Sequence, residues 1–496
     1  MVAANRLPVI SDRTNRGVPR WRDRAGGAYS ALRSVINARH GAWVGWTGLT
    51  DQAPDPFAHK DLWLHPVTVS QREADECYRG HCAGTLAPLY YGFLEPPVFR
   101  RKWRDAYRTV NRRFAAMAAD IAAPGGVIWV HDYHLQLVPG HLRRLRRDLL
   151  VGFFLHSPFP PAELFMRLPM RSELMSGLLG ADLVGFQHPQ AATNFLHLAD
   201  HLGLPVGDDF VRVGSRRVRV DTFPTSIDVA EVGDLAADPA VRARAATIRA
   251  TLNSPRTVFL AVNQLDPAEG IEQRLSAYAR LLAEGRLDPA QTVLIQVAEP
   301  TGDDGLHQEN LRHRVDRQVA QINGLYSQVG HTVVHYIHRD LDRAELVALY
   351  LAADVMLATP LQAGMTLSAK EFVAARTDDS GCLVLSEFTG AAADLPEAVL
   401  VNPYDLDGLK EAMLAAASED HKPGAMQAMR ERLRAADAAH WAGRFLTTLG
   451  GCVADAVHET VSPHRPPSPT PRTVTTDAAG GPCPAAPVVP NRAATP

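Results

Sequence analysis

The chain has 496 residues, of which 46% are hydrophobic and 21% are charged, so it is long enough for two large globular domains. Its 51 Lys and Arg residues nearly balance 54 Asp and Glu residues, and the net charge of -3 provides no basic field for nucleic acid or an anionic membrane. No apolar run reaches the roughly 18 residues of a membrane span, and the segment MVAANRLPV lacks a signal-peptide layout. The cysteines are scattered without CxxC spacing, which argues against a disulfide framework or zinc site and favours a reducing cytoplasm; they are Cys77, Cys82, Cys382, Cys452 and Cys483.

The N-terminal run VAANRLPV predicts a very short first strand, Val2 to Ala4, followed by a turn that carries Asn5 and Arg6. So short a strand indicates either a truncated sheet edge or a start codon farther upstream. The next pattern, GGAYSAL at 26–32, places two glycines before a helix, an arrangement that brings backbone N–H groups close to an anion. Glycines at helix starts are more often simple turns.

Apolar, β-rich runs alternate with helical patterns through most of the chain: GGVIWVHDY, LLVGFFLH, ADLVGF, VRVDTFP, TVFLAVN, TVLIQVAE, HTVVHYI, DVMLAT and CLVLSE. Such alternation predicts βα units with parallel strands buried on both faces. The polar, Ala-rich stretch before TVFLAVN indicates a boundary near residue 235, so we expect domains at 1–235 and 236–435. We expect a helix over 436–460 to return to the first domain, and a disordered Pro-rich tail over 461–496.

Polar residues follow two of the predicted strands. WVHDYHLQLVP ends a strand with His131, Asp132, Tyr133 and His134, and GFFLHSPFP places His156 after four apolar residues. The carboxyl ends of parallel strands point into a ligand crevice, so these side chains are candidates for substrate contacts. Two alternatives remain: metal ligands in HDYH, which lack a further ligand cluster nearby, and a histidine buried in the core at 156.

Two strand-turn-helix segments lie in the second half. LAVNQLDPAEGIEQRL at 260–275 has the outline of a phosphate-binding turn, but its turn carries Asp266 and Glu269 and no cation. TPLQAGMTLSAKEFVAA at 359–375 contains Gly364 and free amides before a helix, with Glu371 in an early turn of that helix. Glu371 either faces solvent or, like other carboxylates beside a nucleotide site, takes ribose hydroxyls.

Together, HDYH, FFLHSPFP, LPMRSELMSGLLGADLVGF, GMTLSAKE, LSEFTGAA and VNPYD resemble the trehalose-6-phosphate synthase family, the retaining glycosyltransferases of family 20. The resemblance covers about residues 3–450. It implies an α/β fold of the GT-B type, with two doubly wound Rossmann-like domains facing a central cleft. It also implies metal-independent transfer of glucose from UDP-glucose or GDP-glucose to glucose 6-phosphate, without a cofactor, in trehalose biosynthesis.

The resemblance also implies roles for individual residues. On the acceptor side, Arg6 and Tyr91 would hold the phosphate, and Gly27 and Trp46 would lie beside the sugars. Asp132 and His156 would be the catalytic residues that bind the acceptor and the transferred glucose. On the donor side, the backbone amides of Met365, Thr366 and Leu367 would bind the diphosphate. The carboxylate of Glu371 would bind the ribose.

Several positions depart from the family pattern. VDRLDYxKG reads VNQLDPAEG here, so Gln264 replaces an Arg and Glu269 replaces a Lys that contact the donor diphosphate. RDGMNLVAKE reads QAGMTLSAKE, with Gln362 and Ala363 in place of Arg and Asp, and PSR reads PTG, with Gly302 at the Arg position. YYNxFSNxxLWP corresponds to the shortened YYGFLEPPVF. Because one fixed donor at a developing negative charge contributes about 2.7–4 kcal/mol to catalysis, these changes predict weak activity with UDP-glucose.

Two functions are therefore open. The first is an active synthase in which Lys370 or the cluster RRLRR at 143–147 compensates for the lost cations, although that cluster also suits a solvated helix face. The second is a catalytically impaired paralogue that binds a sugar phosphate or regulates a partner synthase. Either protein could form a homo-oligomer.

Overall fold

The computed structural model describes residues 1–12, 20–23, 32, 36, 41–93, 96–300, 306–418 and 424–461; it describes their side chains up to residue 452, except at 12, 20 and 306–308. Gly27, Gly302 and the predicted tail from residue 462 onward lie outside the described residues. No helix in the described part of the chain is long and apolar enough to cross a membrane.

The first half forms a nine-stranded sheet in the order β10-β11-β9-β8-β7-β1-β4-β6-β5. Its strands are parallel except for the antiparallel edge pairs β10/β11 and β5/β6. A separate hairpin, β2/β3, precedes β4 in the chain. The strands are β1 (Val2–Arg6), β2 (Val9–Asp12), β3 (Arg20–Asp23), β4 (Ala42–Trp46), β5 (Phe57–His59), β6 (Leu62–Pro66), β7 (Val127–His131), β8 (Leu150–Leu155), β9 (Leu183–Phe186), β10 (Phe210–Val213) and β11 (Arg216–Thr222).

Helices cover the faces of this sheet. A continuous helical run, α1, comprises Gln71–Glu73, a π-helical segment Ala74–Leu86 and Ala87–Tyr90. The amphipathic α2 (Arg101–Ile121) follows it and buries Tyr107, Val110 and Phe114 at intervals of three and four residues. The remaining helices are α3 (Val138–Leu145), α4 (Ala162–Phe165), α5 (Arg171–Leu178) and α6 (Pro189–His201).

The second half forms a six-stranded, all-parallel sheet in the order β14-β13-β12-β15-β16-β17. Its strands are β12 (Thr257–Gln264), β13 (Thr292–Glu299), β14 (Val334–Ile337), β15 (Val355–Ala358), β16 (Cys382–Ser386) and β17 (Val399–Val401). Its helices are α7 (Val229–Ala237), α8 (Pro239–Thr251), α9 (Ile271–Ala283), α10 (Leu306–Tyr326), α11 (Arg343–Ala352), α12 (Leu367–Ala375), α13 (Ala391–Asp394), α14 (Leu406–Ala417) and α15 (Ala425–Ala435). This architecture confirms the predicted α/β fold.

The first strand differs from the sequence prediction. It runs from Val2 to Arg6, and it lies inside the sheet between β4 and β7, not at an edge. Val2, Ala3 and Ala4 are buried, because an interior parallel strand is covered on both faces.

Each sheet has one point at which the strand order reverses. From β1 the chain continues to β4 on one side, while β7 lies on the other side. From β12 it continues to β13, while β15 lies on the opposite flank. In doubly wound sheets, ligands bind outside the carboxyl ends of the strands at such reversals. The ends of β1, β7, β12 and β15 are therefore the places where a site is expected.

The hydrophobic core changes from one sheet to the other shortly after β11. Val220 packs in the core of the first sheet, whereas Ile227, Val232 and Ala236 pack in that of the second. The boundary predicted at residue 235 thus lies inside α7, a helix on the second sheet. We propose a domain boundary close to residue 225.

The last helix, α16 (Ala438–Val461), follows the second domain in the chain but packs on the first sheet. The ring of Phe445 stacks on Trp129 with a centroid distance of 4.3 Å. Gly152 and Gly185 make room for this ring, since a Cβ on either would lie 2.7 Å from Phe445. The final helix therefore connects the two halves.

Candidate active site

A cavity of about 890 Å³ lies where the carboxyl ends of the two sheets meet. It is lined from the first half by residues that follow β1, β7 and β8, and from the second half by residues that follow β12 and β15. The predicted site residues on its wall are Arg6, Tyr91, Asp132, His156, Gln264, Glu269, Met365, Thr366, Leu367 and Glu371. Of the described candidates, Trp46 alone is absent from the wall.

Asp132, directly after β7, has an unusual backbone. Its φ of 68° and ψ of 167° are rarely adopted by residues other than glycine and cost on the order of 1–3 kcal/mol. One carboxylate oxygen, Oδ1, accepts a hydrogen bond from Ser157 Oγ at 3.1 Å, and that hydroxyl lies 3.2 Å from the Tyr91 hydroxyl. The strained turn and this hydrogen-bonded chain hold Asp132 at the cavity wall.

His156 and His131 form a directed hydrogen-bonded pair. The Gln187 side chain accepts from Thr225 N through Oε1, so its amide nitrogen donates to His156 Nδ1 at 3.3 Å. The His156 proton then lies on Nε2 and is donated to His131 Nδ1 at 3.1 Å. Burial lowers the pKa of His156 to about 4, and burial also lowers the pKa of His131 well below its usual range, so both rings are neutral.

This pairing places at the wall a donor from His131, a residue that the sequence analysis names only as a candidate for substrate contacts. His131 lines the cavity, and its Nε2 carries the remaining ring proton. This Nε2 has no hydrogen-bond partner among the described residues. His156, in contrast, uses both ring nitrogens within the protein. Its predicted contact with a sugar therefore requires one of these hydrogen bonds to be exchanged.

Arg6 is held at the end of β1 by aromatic rings. Its guanidinium lies 3.9 Å from the Trp46 ring centroid and 6.0 Å from that of Tyr78. Trp46 in turn stacks on Tyr78 at 4.8 Å. Trp46 thus lies beneath Arg6, and its role in this arrangement is to position the guanidinium by a cation–π contact.

The N-terminus of α12 faces the cavity from the second half. Its first residue is Leu367, Thr366 precedes it, and no side chain caps its N–H groups. The first-turn amides of a helix lack intrahelical partners and form a site for anions. A Cβ at Gly364 would overlap the carbonyl oxygen of His156, so glycine at this position lets the two halves approach.

Glu371 is buried inside the first turns of α12, with 3% of its surface exposed. Arg343 Nη1 donates to its Oε1, and the Tyr350 hydroxyl donates to its Oε2 at 2.9 Å. The solvent-exposed alternative is therefore wrong. Both oxygens are oriented by fixed donors, and each has a further lone pair for a ligand hydroxyl.

The turn after β12 carries the acidic residues noted in the sequence. Gln264 is exposed at the strand end, and the Glu269 carboxylate accepts a hydrogen bond from Asn263 Nδ2 at 2.5 Å. Burial, and next the charge of Asp266, raises the pKa of Glu269 to about 7, although Arg274 opposes this shift. At neutral pH Glu269 is therefore present in both protonation states.

Arg274 lies beneath this turn and is fully buried. It donates to the Glu269 carbonyl oxygen at 2.7 Å, to Asn263 Oδ1 at 2.6 Å and to Thr359 Oγ1 at 3.0 Å. These bonds connect the turn after β12 to the end of β15, and Leu361 N adds another link to the Ala268 carbonyl at 2.6 Å. Arg274 organises the turn but does not line the cavity.

Among the described residues, the cavity wall is strongly acidic. Its cations are Arg6 and Arg79, both from the first half, whereas its carboxylates are Asp75, Asp132, Asp266, Glu269, Glu299, Glu309, Asp340 and Glu371. In the described part of the second half, no Lys or Arg lines the wall.

The compensating cations considered in the sequence analysis lie elsewhere. Lys370 is buried and donates to the Thr225 carbonyl at 2.8 Å and to Asp394 at 2.6 Å. In the cluster at 143–147, Arg143 binds Asp182 and Arg146 binds Asp148. None of these side chains lines the cavity, so the compensation proposed for them is wrong.

The helical run α1 contributes wall residues that the sequence analysis missed. Tyr78, Arg79 and Ala83 line the cavity, and Trp103 of α2 reaches it by packing against Gly80. The segment YYGFLEPPVF, interpreted as a shortened acceptor loop, follows this helix. The wall thus comes from this helical run as well as from the segment, which contributes Tyr91, Phe93, Pro96 and Val98. The π-helical geometry interrupts the helical periodicity, so the sequence of the run left no recognisable pattern.

The family model described as "Glycosyltransferase family 20" matches residues 1–450. A trehalose-6-phosphate synthase of Mycobacterium sp. (strain KMS) is 47% identical over 468 residues, which cover 92% of this chain and 96% of that protein. The trehalose-6-phosphate synthase of Mycobacterium tuberculosis (strain CDC 1551 / Oshkosh) is 46% identical over 474 residues, covering 91% and 94%.

Solved structures show the same relationship. An alpha,alpha-trehalose-phosphate synthase (UDP-forming) from Burkholderia xenovorans in complex with glucose-6-phosphate has a TM-score of 0.82 and 28% identity, covering 91% of this chain and 99% of that one. A structure described as trehalose-6-phosphate from E. coli bound with UDP-2-fluoro glucose has a TM-score of 0.79 and 29% identity, covering 90% and 98%. The fold of these structures is the predicted GT-B arrangement.

Proposed function

Because the chain belongs to glycosyltransferase family 20, we propose that it transfers glucose from a nucleoside diphosphate glucose to glucose 6-phosphate, with retention, as a synthase of trehalose 6-phosphate. One observation carries this proposal. Residues at the strand-order reversals of both sheets line a single cavity, with Arg6 and Asp132 from the first sheet and the N-terminus of α12 from the second. Two facing sites of this kind suit the transfer of a group from one bound ligand to another.

On the acceptor side, Arg6 would bind the phosphate of glucose 6-phosphate. Its guanidinium is oriented by the ring of Trp46, and a guanidinium fork suits the geometry of a phosphate. Tyr91 would contribute its hydroxyl from the chain that includes Ser157. Asp132 would accept a hydrogen bond from a sugar hydroxyl through its second carboxylate oxygen.

On the donor side, the amides of residues 365–367 would bind the diphosphate, and Glu371 would bind the ribose. Retaining transfer places negative charge on the departing diphosphate, and helix amides stabilise such charge without reorganisation. No Lys or Arg from the described part of the second half supplements them. The proposed donor site should therefore bind the diphosphate more weakly than a site with two cations. Gln264 and Glu269 occupy the positions at which the family pattern has those cations.

The test combines binding and turnover. Calorimetry with UDP, UDP-glucose, GDP-glucose and glucose 6-phosphate measures each half-site, and a coupled assay of nucleotide release measures transfer. The anomeric configuration of the product, read by NMR, establishes retention. Asp132→Asn should lower transfer by about 10²-fold, whereas Arg112→Gln, an exposed change on α2, should leave it unchanged.

Turnover with formation of trehalose 6-phosphate supports the proposal. Binding of glucose 6-phosphate without turnover of any nucleotide sugar would instead assign the alternative, a sugar-phosphate-binding paralogue. Binding of neither ligand would contradict both functions.

A further inference from the structure

A second cavity, here called the basic pocket, lies between α1, the start of α2 and the segment after α4. It is separate from the cleft. Its volume is about 140 Å³, equal to the share of about four or five liquid waters. It is lined by His81, Thr85, Phe99, Arg100, Arg101, Arg104, Leu168, Pro169 and Met170. None of these residues lines the cleft of the proposed transferase site.

The basic pocket has positive charges at the N-terminus of α2, where a helix usually prefers negative ones. Helix α2 begins at Arg101, its N-cap is Arg100, and no side chain caps its N–H groups. Cations are unfavourable near the positive end of a helix dipole, where a carboxylate would be stabilising. Neither Arg100 nor Arg101 has a carboxylate partner within ion-pair distance among the described residues. A bound anion would therefore stabilise both the helix N-terminus and these arginines.

His81 provides an independent indication of a ligand. Its side chain is 3% exposed, yet its Nε2 has no hydrogen-bond partner among the described residues. Burial, and next the charges of Arg104 and Arg108, lower the pKa of His81 to about 3. A buried ring nitrogen without a partner is unfavourable unless the pocket receives a group that binds to it.

We propose that the basic pocket binds the phosphoryl group of a small phosphomonoester. The N–H groups at the start of α2, the guanidinium groups of Arg101 and Arg104 and the ring of His81 would bind its oxygens. Phe99 and Met170 form an apolar side of the same pocket, which suits the organic part of an ester. The pocket volume admits one phosphoryl group.

The basic pocket is mechanically connected to the cleft. His81 lies on α1 beside residues 78 and 79, whose side chains line the cleft. Trp103 lies between the pocket residues Arg101 and Arg104, packs on Gly80 and Gly84 and also lines the cleft. A ligand that moves the start of α2 against α1 therefore moves the acceptor wall. We expect it to change the KM for the acceptor more than kcat.

The binding test follows the His81 ring by NMR, with His81→Gln used for assignment. Arg6→Ala serves as the background, because it removes the proposed phosphate contact in the cleft. Orthophosphate and glucose 6-phosphate should each cause a saturable shift of the His81 resonance and raise its pKa, since a bound anion stabilises the charged ring. Glucose, which lacks the phosphoryl group, should cause no shift.

A matched pair of variants distinguishes the pocket from general electrostatics. Arg100→Gln with Arg101→Gln changes two exposed side chains at the pocket and should weaken the response at least tenfold. Arg112→Gln lies on the same helix away from the pocket and should leave it unchanged. Equal loss in both variants, or no shift with either anion, would overturn the proposal. A response to orthophosphate without a response to glucose 6-phosphate would overturn the assignment of a phosphomonoester as the ligand.

Discussion

Glu269 offers the most direct test of the proposed donor site. Its carboxylate lines the cleft, and its pKa of about 7 means that it changes charge within the range in which the protein can be assayed. A neutral carboxyl group tolerates, or donates to, a phosphate oxygen, whereas an ionised one repels it. We therefore predict that UDP-glucose binds more tightly as the pH falls through 7.

The expected magnitude follows from that pKa. With a pKa of about 7, Glu269 is about 10% ionised at pH 6 and about 90% ionised at pH 8. If the ionised form excludes the diphosphate, the Kd for UDP-glucose should be about tenfold higher at pH 8 than at pH 6. UDP-glucose is preferable to UDP here because its diphosphate is a diester and keeps its charge over this range.

Neighbouring groups set the sign and the limits of this effect. Asp266 lies in the same turn and favours the neutral form of Glu269, whereas Arg274 beneath the turn favours the ionised form. Tyr91 faces the turn from the first half. Burial and the charge of Asp132 raise its pKa, with smaller contributions from Asp266 and Glu269, so it stays neutral. His156 is neutral over the same range.

The assay is calorimetry of UDP-glucose at pH 6, 7 and 8 with the natural protein and two variants. Glu269→Gln should bind as the natural protein does at pH 6 and lose the pH dependence. Glu309→Gln, which removes an exposed carboxylate from the same cleft, should keep it. Glu269→Lys should add a cation and raise the rate of transfer by about 10²-fold or more. An affinity of the natural protein that is constant from pH 6 to pH 8 would refute the reasoning.

Three further predictions concern the scaffold and the acceptor side. Gly364→Ala should sharply reduce transfer and lower the Tm, because its Cβ would overlap the His156 carbonyl oxygen; unchanged kinetics and melting would contradict this contact. Phe445→Ala should destabilise the protein by about 3–5 kcal/mol in denaturant unfolding, since its ring fills the space between α16 and the first sheet, while Val329→Ala, at a fully exposed site, should change little. Asp132→Asn should preserve UDP-glucose binding, because asparagine tolerates a positive φ, but should lower transfer by about 10²-fold; equal loss of donor binding would show that the change disturbs the fold.

The local pattern of the sequence determined much of this protein. Alternating apolar strands and helices predicted the two-domain α/β fold, because hydrophobic periodicity reports secondary structure and burial directly. The polar residues after strands, such as Asp132 and His156, were also recognisable, since the carboxyl ends of parallel strands share one edge. The absence of a positive charge at Gln264 and Glu269 needed no coordinates, because it follows from residue type.

The tertiary structure alone decided which of these residues meet and what each one does. Strand order places β1 beside β7 and β12 beside β15, and no local pattern contains that order. Only the folded chain shows that Trp46 lies under Arg6, that His156 uses both its nitrogens within the protein, and that Lys370 turns away from the cleft. Hydrogen bonds and ring contacts of this kind join residues far apart in the chain, so they depend on packing, which local sequence patterns do not specify.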